Sequence, residues 1–466
     1  MRALGWFLSV LLLSPLASAS ELSTRLDQAI QAIPGGGLSG IAVYDMSLGK
    51  WLYLTSSNQP MSLASTTKLL TTVATYHYLG ADYQFSTKIL SLGPLNAGAI
   101  PGLAVIGGGD PCLDEHFYSP QPEAVFEEWA AQLRRFGINR INGDIVIDDT
   151  LFAGPIRPST YPQDADNQQH WFSAPASAFA WNDNCIEVHV VPSVPGHPGD
   201  VEVRPVSDLI QVRNLTRTVG SENRTAITRD LDQNAITVSG SIGKTNSAWF
   251  PLAIAENPEL LAGEELKHVL ERSGIAVTGS VRLAAVPTQG LPLLIDQRHS
   301  LQDALILQNH DSQNFYAEQM LRMVGAKHGG EGSITAGRAA VMAALGDLLG
   351  KDALESVMVL DGSGLSYGNH ASASFMVKLL IAVQQTPIAE AFMQTLKTRD
   401  AGKAHGFVKT GTHAAACCLV GYIDLSNHHR LAFASLLNPG QSTSFEEWRG
   451  RTRETLFKII CESAER

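Results

Sequence analysis

Two short motifs that would have to share one site stand 247 residues apart: Ser65-x-x-Lys68 and Ser312-Gln313-Asn314. A third, Lys409-Thr410-Gly411 followed by Thr412, lies nearer the C-terminus. If the three work together, both ends of the chain must meet in one domain. The stretch between the first two motifs must then be carried as an insertion. That requirement restricts the topology more than any local pattern does. A chain of 466 residues is also too long for one ordinary core and has room for two or three.

The periodicity agrees. A helix is predicted over 22–32, broken by Gly35-Gly36-Gly37. Strands over 40–45 and 51–54 flank a turn, and a helix over 65–79 is ended by Gly80. From 85 to 290 the texture changes. Short strands at 103–106, 143–147, 185–191, 201–203 and 235–238 alternate with Gly and Pro, and one helix is predicted over 259–273. Helices return over 301–307, 313–324, 335–349 and 372–384. Strands over 406–409, 418–424 and 430–437 follow, then a helix over 446–461. A strand pair, then helices, then a strand triplet make a mixed domain whose sheet joins both chain ends.

Hydrophobic residues at 44% and charged residues at 17% are those of a packed globular protein. A net charge of -11 repels nucleic acid. At the N-terminus, Arg2, an apolar run over 4–16 and Ala17-Ser18-Ala19 read as a secretory signal over 1–19. The competing reading, an uncleaved anchor, needs a longer run. No later stretch reaches the ~18 apolar residues of a membrane helix, so the mature protein is expected to be soluble outside the cytoplasm. Five cysteines are an odd number for an exported chain. Cys417 and Cys418 should alternate across a strand, and one of them could reach Cys461 if the last helix packs there. The cysteine spacings do not resemble a zinc site, and Cys112, Asp114 and His116 read as loop chemistry.

Ser-x-x-Lys occurs three times, at Ser47–Lys50, Ser65–Lys68 and Ser241–Lys244. Only the second opens a predicted helix, where i, i+3 spacing puts both side chains on one face. That helix start also presents N–H groups to an oxyanion. Ser312-Gln313-Asn314 opens another predicted helix, and Lys409-Thr410-Gly411 ends a predicted strand. Each residue type has a job. Ser65 is the candidate nucleophile and needs a base. Lys68 serves only when neutral, so its pKa must fall from about 10.4 to about 7–8, a bias on the order of 4 kcal/mol. Burial and the charge of Lys409 push that way. Ser312 can relay a proton to the leaving amine, and Asn314 can donate to the substrate amide. Lys409 and Thr410 can hold a carboxylate. The backbone N–H groups of Ser65 and Thr412 would form an oxyanion hole. Gly411 is expected to leave room for substrate along the strand.

The three motifs together are the joint signature of penicillin-binding proteins and class A β-lactamases. The chain resembles the low-molecular-mass class C penicillin-binding proteins, the D-alanyl-D-alanine carboxypeptidase/endopeptidase family. The likeness runs through Ala64–Leu70, Gly107-Gly108-Gly109-Asp110-Pro111, Ile147-Asp148-Asp149 with Phe152, Asp361–Ser366, and Leu419 with Gly421-Tyr422. It implies an α/β (α+β) fold: a transpeptidase-like domain, with an antiparallel sheet and helices on both sides, carrying a two-domain insertion. The expected segments are 20–88 and 290–466 for the catalytic domain, 89–165 and 250–289 for one inserted domain, and 166–249 for the other. The resemblance further implies a periplasmic serine DD-peptidase acting on peptidoglycan stem peptides through a Ser65 acyl-enzyme. Cleavage of D-Ala–diaminopimelate cross-links, and covalent inhibition by β-lactams, belong to the same expectation. No metal or organic cofactor is implied, and the sequence carries no signal of oligomeric state.

Two features depart from the family pattern: Gln313 at the middle of the second motif, and Cys417-Cys418 after the third. A β-lactamase is the first rival, but no Glu-x-x-Leu-Asn follows Ser65. A wall-binding scaffold with a decayed site is the second, against which every motif side chain is intact. Gly362-Ser363-Gly364 reads as a tight turn under the site. His310 and His413 flank the motifs but pair with no acid at a known spacing, so both read as exposed or structural.

Overall fold

A six-stranded antiparallel sheet joins the two ends of the chain, as the motif spacing requires. Its strands are β1 (Leu38–Asp45), β2 (Lys50–Thr55), β3 (Lys397–Ala401), β4 (Ala404–His413), β5 (Ala416–Asp424) and β6 (Arg430–Asn438). Their order in the sheet is β3-β4-β5-β6-β1-β2. The computed structural model describes residues 14–33, 37–118, 121–438 and 445–464. Most of the expected signal segment, residues 1–13, lies outside these, as do Gly35 and Gly36. No helix among the described residues is long and apolar enough to cross a membrane.

Alternation along the strands sends side chains to two cores. On one side, α1 (Ser14–Gln31) and α6 (Phe445–Ala464) bury Leu22, Leu26, Phe457 and Ile460 against Leu419, Phe433 and Val408. On the other lie α2 (Lys68–Leu79), α3 (Asn314–Gly329), α4 (Ile334–Leu349) and α5 (Ala373–Val383). Their Leu69, Val73, Tyr316, Met320, Val341 and Leu379 join Val420, Ala432 and Ala434 of the sheet. Adjacent Cys417 and Cys418 fall into the two different cores, and Cys461 is buried on the Cys417 side.

The insertion leaves the catalytic fold after α2. A five-stranded sheet is built from 281–283, 145–148, 103–106, 84–91 and 293–300, in that order. Helices Ala124–Arg135 and Pro258–Arg272 cover it through Phe126, Trp129, Leu266 and Val269. Nested within it, two three-stranded sheets span Cys185 to Ala253 around Ile186, Val188, Ile236 and Val238. Strand Gln84–Ser91 crosses the expected boundary at 88, and its partner Leu293–Ser300 lies beyond that at 290. Ala248–Ala253 likewise crosses 249. Strand pairing places these segments, and pairing between residues some 200 apart leaves no local mark in a sequence.

Candidate active site

Ser65 sits in a 3₁₀ turn, Ala64–Thr67, and the α-helix proper begins at Lys68. This corrects the expectation that Ser65 itself opens the α-helix. The tighter turn still leaves the serine and lysine side chains adjacent, with Lys68 Nζ 3.1 Å from Ser65 Oγ. Ala64 takes a φ of 45° immediately before the serine, a left-handed conformation a non-glycine residue adopts only when its surroundings impose it. The surroundings here are close-fitting. A Cβ on Gly364 would lie 1.9 Å from Ala64 O, so only glycine fits under this turn.

Lys68 is fully buried. Its amine donates to Ser65 Oγ, to Asn314 Oδ1 at 2.6 Å and to Ser363 O at 2.8 Å. Burial drives its pKa down to about 7, opposed by the carboxylates of Asp361 and Glu318. An amine that yields its proton near neutrality, within reach of a hydroxyl, can accept the proton of that hydroxyl.

The second motif is placed by α3. Asn314 is the first residue of that helix, after Gln313 as N-cap. Its Oδ1 meets Lys68, while its Nδ2 donates to Phe172 O at 2.9 Å. Phe172 belongs to the insertion, in the turn Trp171–Ser173, so the inserted segment reaches the site. Ser312 adopts a φ of 62° and accepts a 2.9 Å hydrogen bond from Lys409 Nζ.

The third motif lies within a strand, since β4 continues to His413; the expected strand end after Lys409 is corrected. Strand β3 pairs with β4 only as far as Val408, which leaves the β3-side edge of 409–413 outside that pairing. Lys409 is buried, and its amine also contacts Thr410 O at 3.2 Å. Burial, then the neighbouring charge of Lys68, lowers its pKa well below the ordinary lysine value. Gly411 has a reason the sequence did not reveal. A Cβ there would lie 2.5 Å from Leu63 O and 3.1 Å from Ser65 N. Glycine is needed because the Ser65 turn packs on the strand, whatever lies along it. Thr412 Oγ1 accepts from Arg453 Nη1 of α6 at 3.4 Å.

The three motifs therefore interlock pairwise: Lys68 with Asn314, Ser312 with Lys409, and Gly411 with the Ser65 turn. The other two Ser-x-x-Lys matches lie in a surface turn and at the end of strand Ala235–Gly243, away from this cluster.

Several residues around the site escaped the sequence reading. Glu318 Oε1 accepts the N–H groups of Gly362 and Ser363 at 3.1 and 2.9 Å, fixing the carbonyl that receives Lys68. Its only signal was its place one turn beyond Asn314 on α3. Asp361 accepts from Gly364 N and Ser366 N, both at 2.7 Å, so 361–366 is the tight turn expected beneath the site. Burial raises the pKa of Glu318 to about 7. Tyr161, from the insertion, stands 3.3 Å from Ser363 Oγ. His413 is a structural residue, as expected. Its Nδ1 accepts from Ala415 N at 3.0 Å, so its Nε2–H faces Ser62 Oγ at 3.1 Å. Burial lowers its pKa to about 4.

Residues 22–452 match the D-Ala-D-Ala carboxypeptidase 3 (S13) family. A D-alanyl-D-alanine carboxypeptidase from Actinomadura sp. (strain R39) is 30% identical over 91% of this chain and 83% of its own length. Penicillin-binding protein 4 from Haemophilus influenzae has a similar fold, with a TM-score of 0.78, 22% identity, and coverage of 95% of this chain and 99% of that one. The same protein complexed with a β-lactam aligns with a TM-score of 0.74, 22% identity, and coverage of 94% and 98%.

Proposed function

The chain belongs to the D-Ala-D-Ala carboxypeptidase 3 (S13) family of serine peptidases, and from that premise we propose a residue-level mechanism on peptidoglycan stem peptides. Lys68, neutral in a substantial fraction of molecules near pH 7, takes the proton of Ser65 Oγ. The serine oxygen attacks the carbonyl carbon of the penultimate D-Ala. The resulting oxyanion is held by the backbone N–H groups of Ser65 and Thr412. Ser312, hydrogen-bonded to Lys409, gives its hydroxyl proton to the leaving amine and is reprotonated from Lys68, which is neutral again when the terminal D-Ala has departed. Water then attacks the acyl-enzyme with Lys68 again as base, releasing the shortened peptide and restoring Ser65.

Lys409, Thr410 and Thr412 hold the carboxylate of the leaving residue, and Asn314 donates to the peptide amide. That carboxylate favours the charged form of Lys409, which burial alone disfavours. The open edge of β4 suits an extended peptide lying antiparallel to it. The same groups would accept a D-Ala–diaminopimelate cross-link, whose leaving centre also bears a carboxylate. The reading places the protein in the periplasm, where that substrate is found.

The observation that carries this reading is the fully buried Lys68 amine at 3.1 Å from Ser65 Oγ. The test is incubation of the mature protein with a fluorescent penicillin, followed by mapping of the label. A stable adduct on Ser65, absent in Ser65→Ala, is expected. A folded sample without covalent label would refute it. Rapid turnover in place of a stable adduct would favour a β-lactamase instead.

A further inference from the structure

Four side chains that can bind metals stand at every second position on one segment of the insertion: Asp110, Cys112, Asp114 and His116. They divide into two groups. Asp110, Cys112 and His299 form the first, and it is closed. Asp110 Oδ2 lies 2.6 Å from His299 Nδ1, and Asp110 Oδ1 accepts Cys112 N–H at 2.9 Å. His299 Nε2 is 2.9 Å from the Tyr118 hydroxyl. Both ring nitrogens and both carboxylate oxygens are engaged, and burial holds the Cys112 thiol protonated. This group is a hydrogen-bonded strut.

The second group, Asp114, His116 and Asp183, differs only at Asp183, for Asp114 Oδ1 accepts the His116 N–H at 2.9 Å and its other oxygen is engaged too. One ligand atom from each lies within 4.8 Å of the others. Asp114 is buried. Its Oδ2 accepts from the Tyr316 hydroxyl at 2.5 Å and stands 3.2 Å from His116 Nδ1. Asp183 comes from a turn in which three successive residues take left-handed φ, 50°, 54° and 51°. Its Oδ1 is shielded from solvent and has no hydrogen-bond partner among the described residues. Two shielded carboxylates this close repel unless a proton or a cation lies between them. The His116 ring is partly exposed, which supplies a route inward.

We propose that Asp114, His116 and Asp183 form a divalent-cation site, with zinc as the cation that matches two carboxylate oxygens and one imidazole nitrogen. Water fills the fourth position. Ligand atoms around zinc sit about 3.4 Å apart, so the group contracts on binding, and the exposed His116 side chain has the freedom to move inward. The site ties the 110–118 segment to the Asn182–Asn184 turn. Through the Tyr316 hydroxyl it also grips α3, two residues beyond Asn314. It requires nothing of the reaction proposed above.

The test uses the mature full-length protein, stripped with a chelator and then given one equivalent of Zn²⁺. Metal content is read by mass spectrometry after gel filtration, and the melting temperature is read with and without zinc. One zinc per chain and a zinc-dependent rise in melting temperature are expected. Asp183→Asn and His116→Ala should each lower retention at least tenfold and abolish that rise. His116→Ala changes a partly exposed residue and keeps the test decisive if Asp183→Asn does not fold. The proposal is overturned if the wild-type chain retains no zinc, or if both variants retain as much as wild type. It is equally overturned if the melting temperature responds to pH but not to zinc, for then a shared proton relieves the carboxylate pair.

Discussion

Asn314 Oδ1 receives a 2.6 Å hydrogen bond from Lys68 Nζ, 246 positions away in the chain. Through this bond the first residue of α3 helps to orient the amine that faces Ser65. The same bond makes the protonation of Lys68 open to manipulation from either side of the site.

The pH dependence follows from two lysines acting in opposite senses. In the proposed mechanism Lys68 acts when neutral, so acylation should rise with pH through about 7. In the same mechanism Lys409 holds the substrate carboxylate when charged, so kcat/KM should fall again at alkaline pH. The expected profile for a diacyl-Lys-D-Ala-D-Ala peptide is bell-shaped, with the acid limb near 7. An activity flat from pH 5 to 9 would contradict both assignments.

Asn314→Asp and Glu318→Gln should move that acid limb in opposite directions. An aspartate puts a carboxylate beside Nζ and raises the Lys68 pKa, by one unit or more, so the limb shifts to higher pH. Glu318→Gln removes one of the two carboxylates that oppose burial, yet keeps an oxygen for the Gly362 and Ser363 N–H groups. The limb then shifts to lower pH. Penicillin acylation rates measured against pH in both variants check the sign.

Lys68 also ties stability to pH. Its pKa is depressed on folding, so the unfolded chain binds the extra proton between about pH 7 and 10.5. Stability therefore rises with pH across that window, by at most about 1.4 kcal/mol per pH unit for this group. Lys409 contributes in the same direction. Lys68→Met should flatten the slope of unfolding free energy against pH, measured by denaturant titration, and reduce acylation by at least a thousandfold.

Gly411→Ala separates the two explanations of that glycine. Its Cβ would meet the backbone of the Ser65 turn rather than open space. Displacement of the nucleophile should slow acylation by about 10²-fold, even by small β-lactams that need little room along β4. An effect confined to long peptide substrates would restore the substrate-clearance explanation.

Arg322 tests the seam between insertion and catalytic domain. From α3 it donates to the carbonyls of Ala153, Pro155 and Gly332. Arg322→Met leaves the Ala153 and Pro155 oxygens without that donor, while Gly332 O keeps the Ala153 N–H, at about 3 kcal/mol or more. A clear drop in melting temperature is expected, with acylation by penicillin weakened less than in Asn314→Asp.

Much of this architecture was legible in the sequence because its signals are local. The helices around 68–79, 259–272, 314–329 and 334–349 announce themselves by apolar spacing and bounding glycines. Residues 185–191 alternate strongly enough to be read as a strand to the residue. The strand 84–91 was missed, because it is defined by partners at 103–106 and 293–300. Helix Ala124–Arg135 was missed as well. It begins without a side-chain cap, but so do helices that were read from the sequence, and we have no physical account of it. Motif order picked out Ser65, Lys68, Ser312, Asn314 and Lys409, which the fold brings into one cluster. Glu318 and the carbonyls of Ser363 and Phe172 carry no motif, since a backbone oxygen can belong to any residue type.

The sequence by itself determined which groups are available: a serine and a lysine one turn apart, two partner motifs in order, and a separation that demands an insertion. Tertiary structure alone decided their state. Lys68 has its pKa near 7 only because helices and sheet close around it and exclude water. Gly411 is required only because a turn from the other end of the chain packs on its strand. Burial and close approach are properties of what surrounds a residue, and here those surroundings come from segments hundreds of positions away.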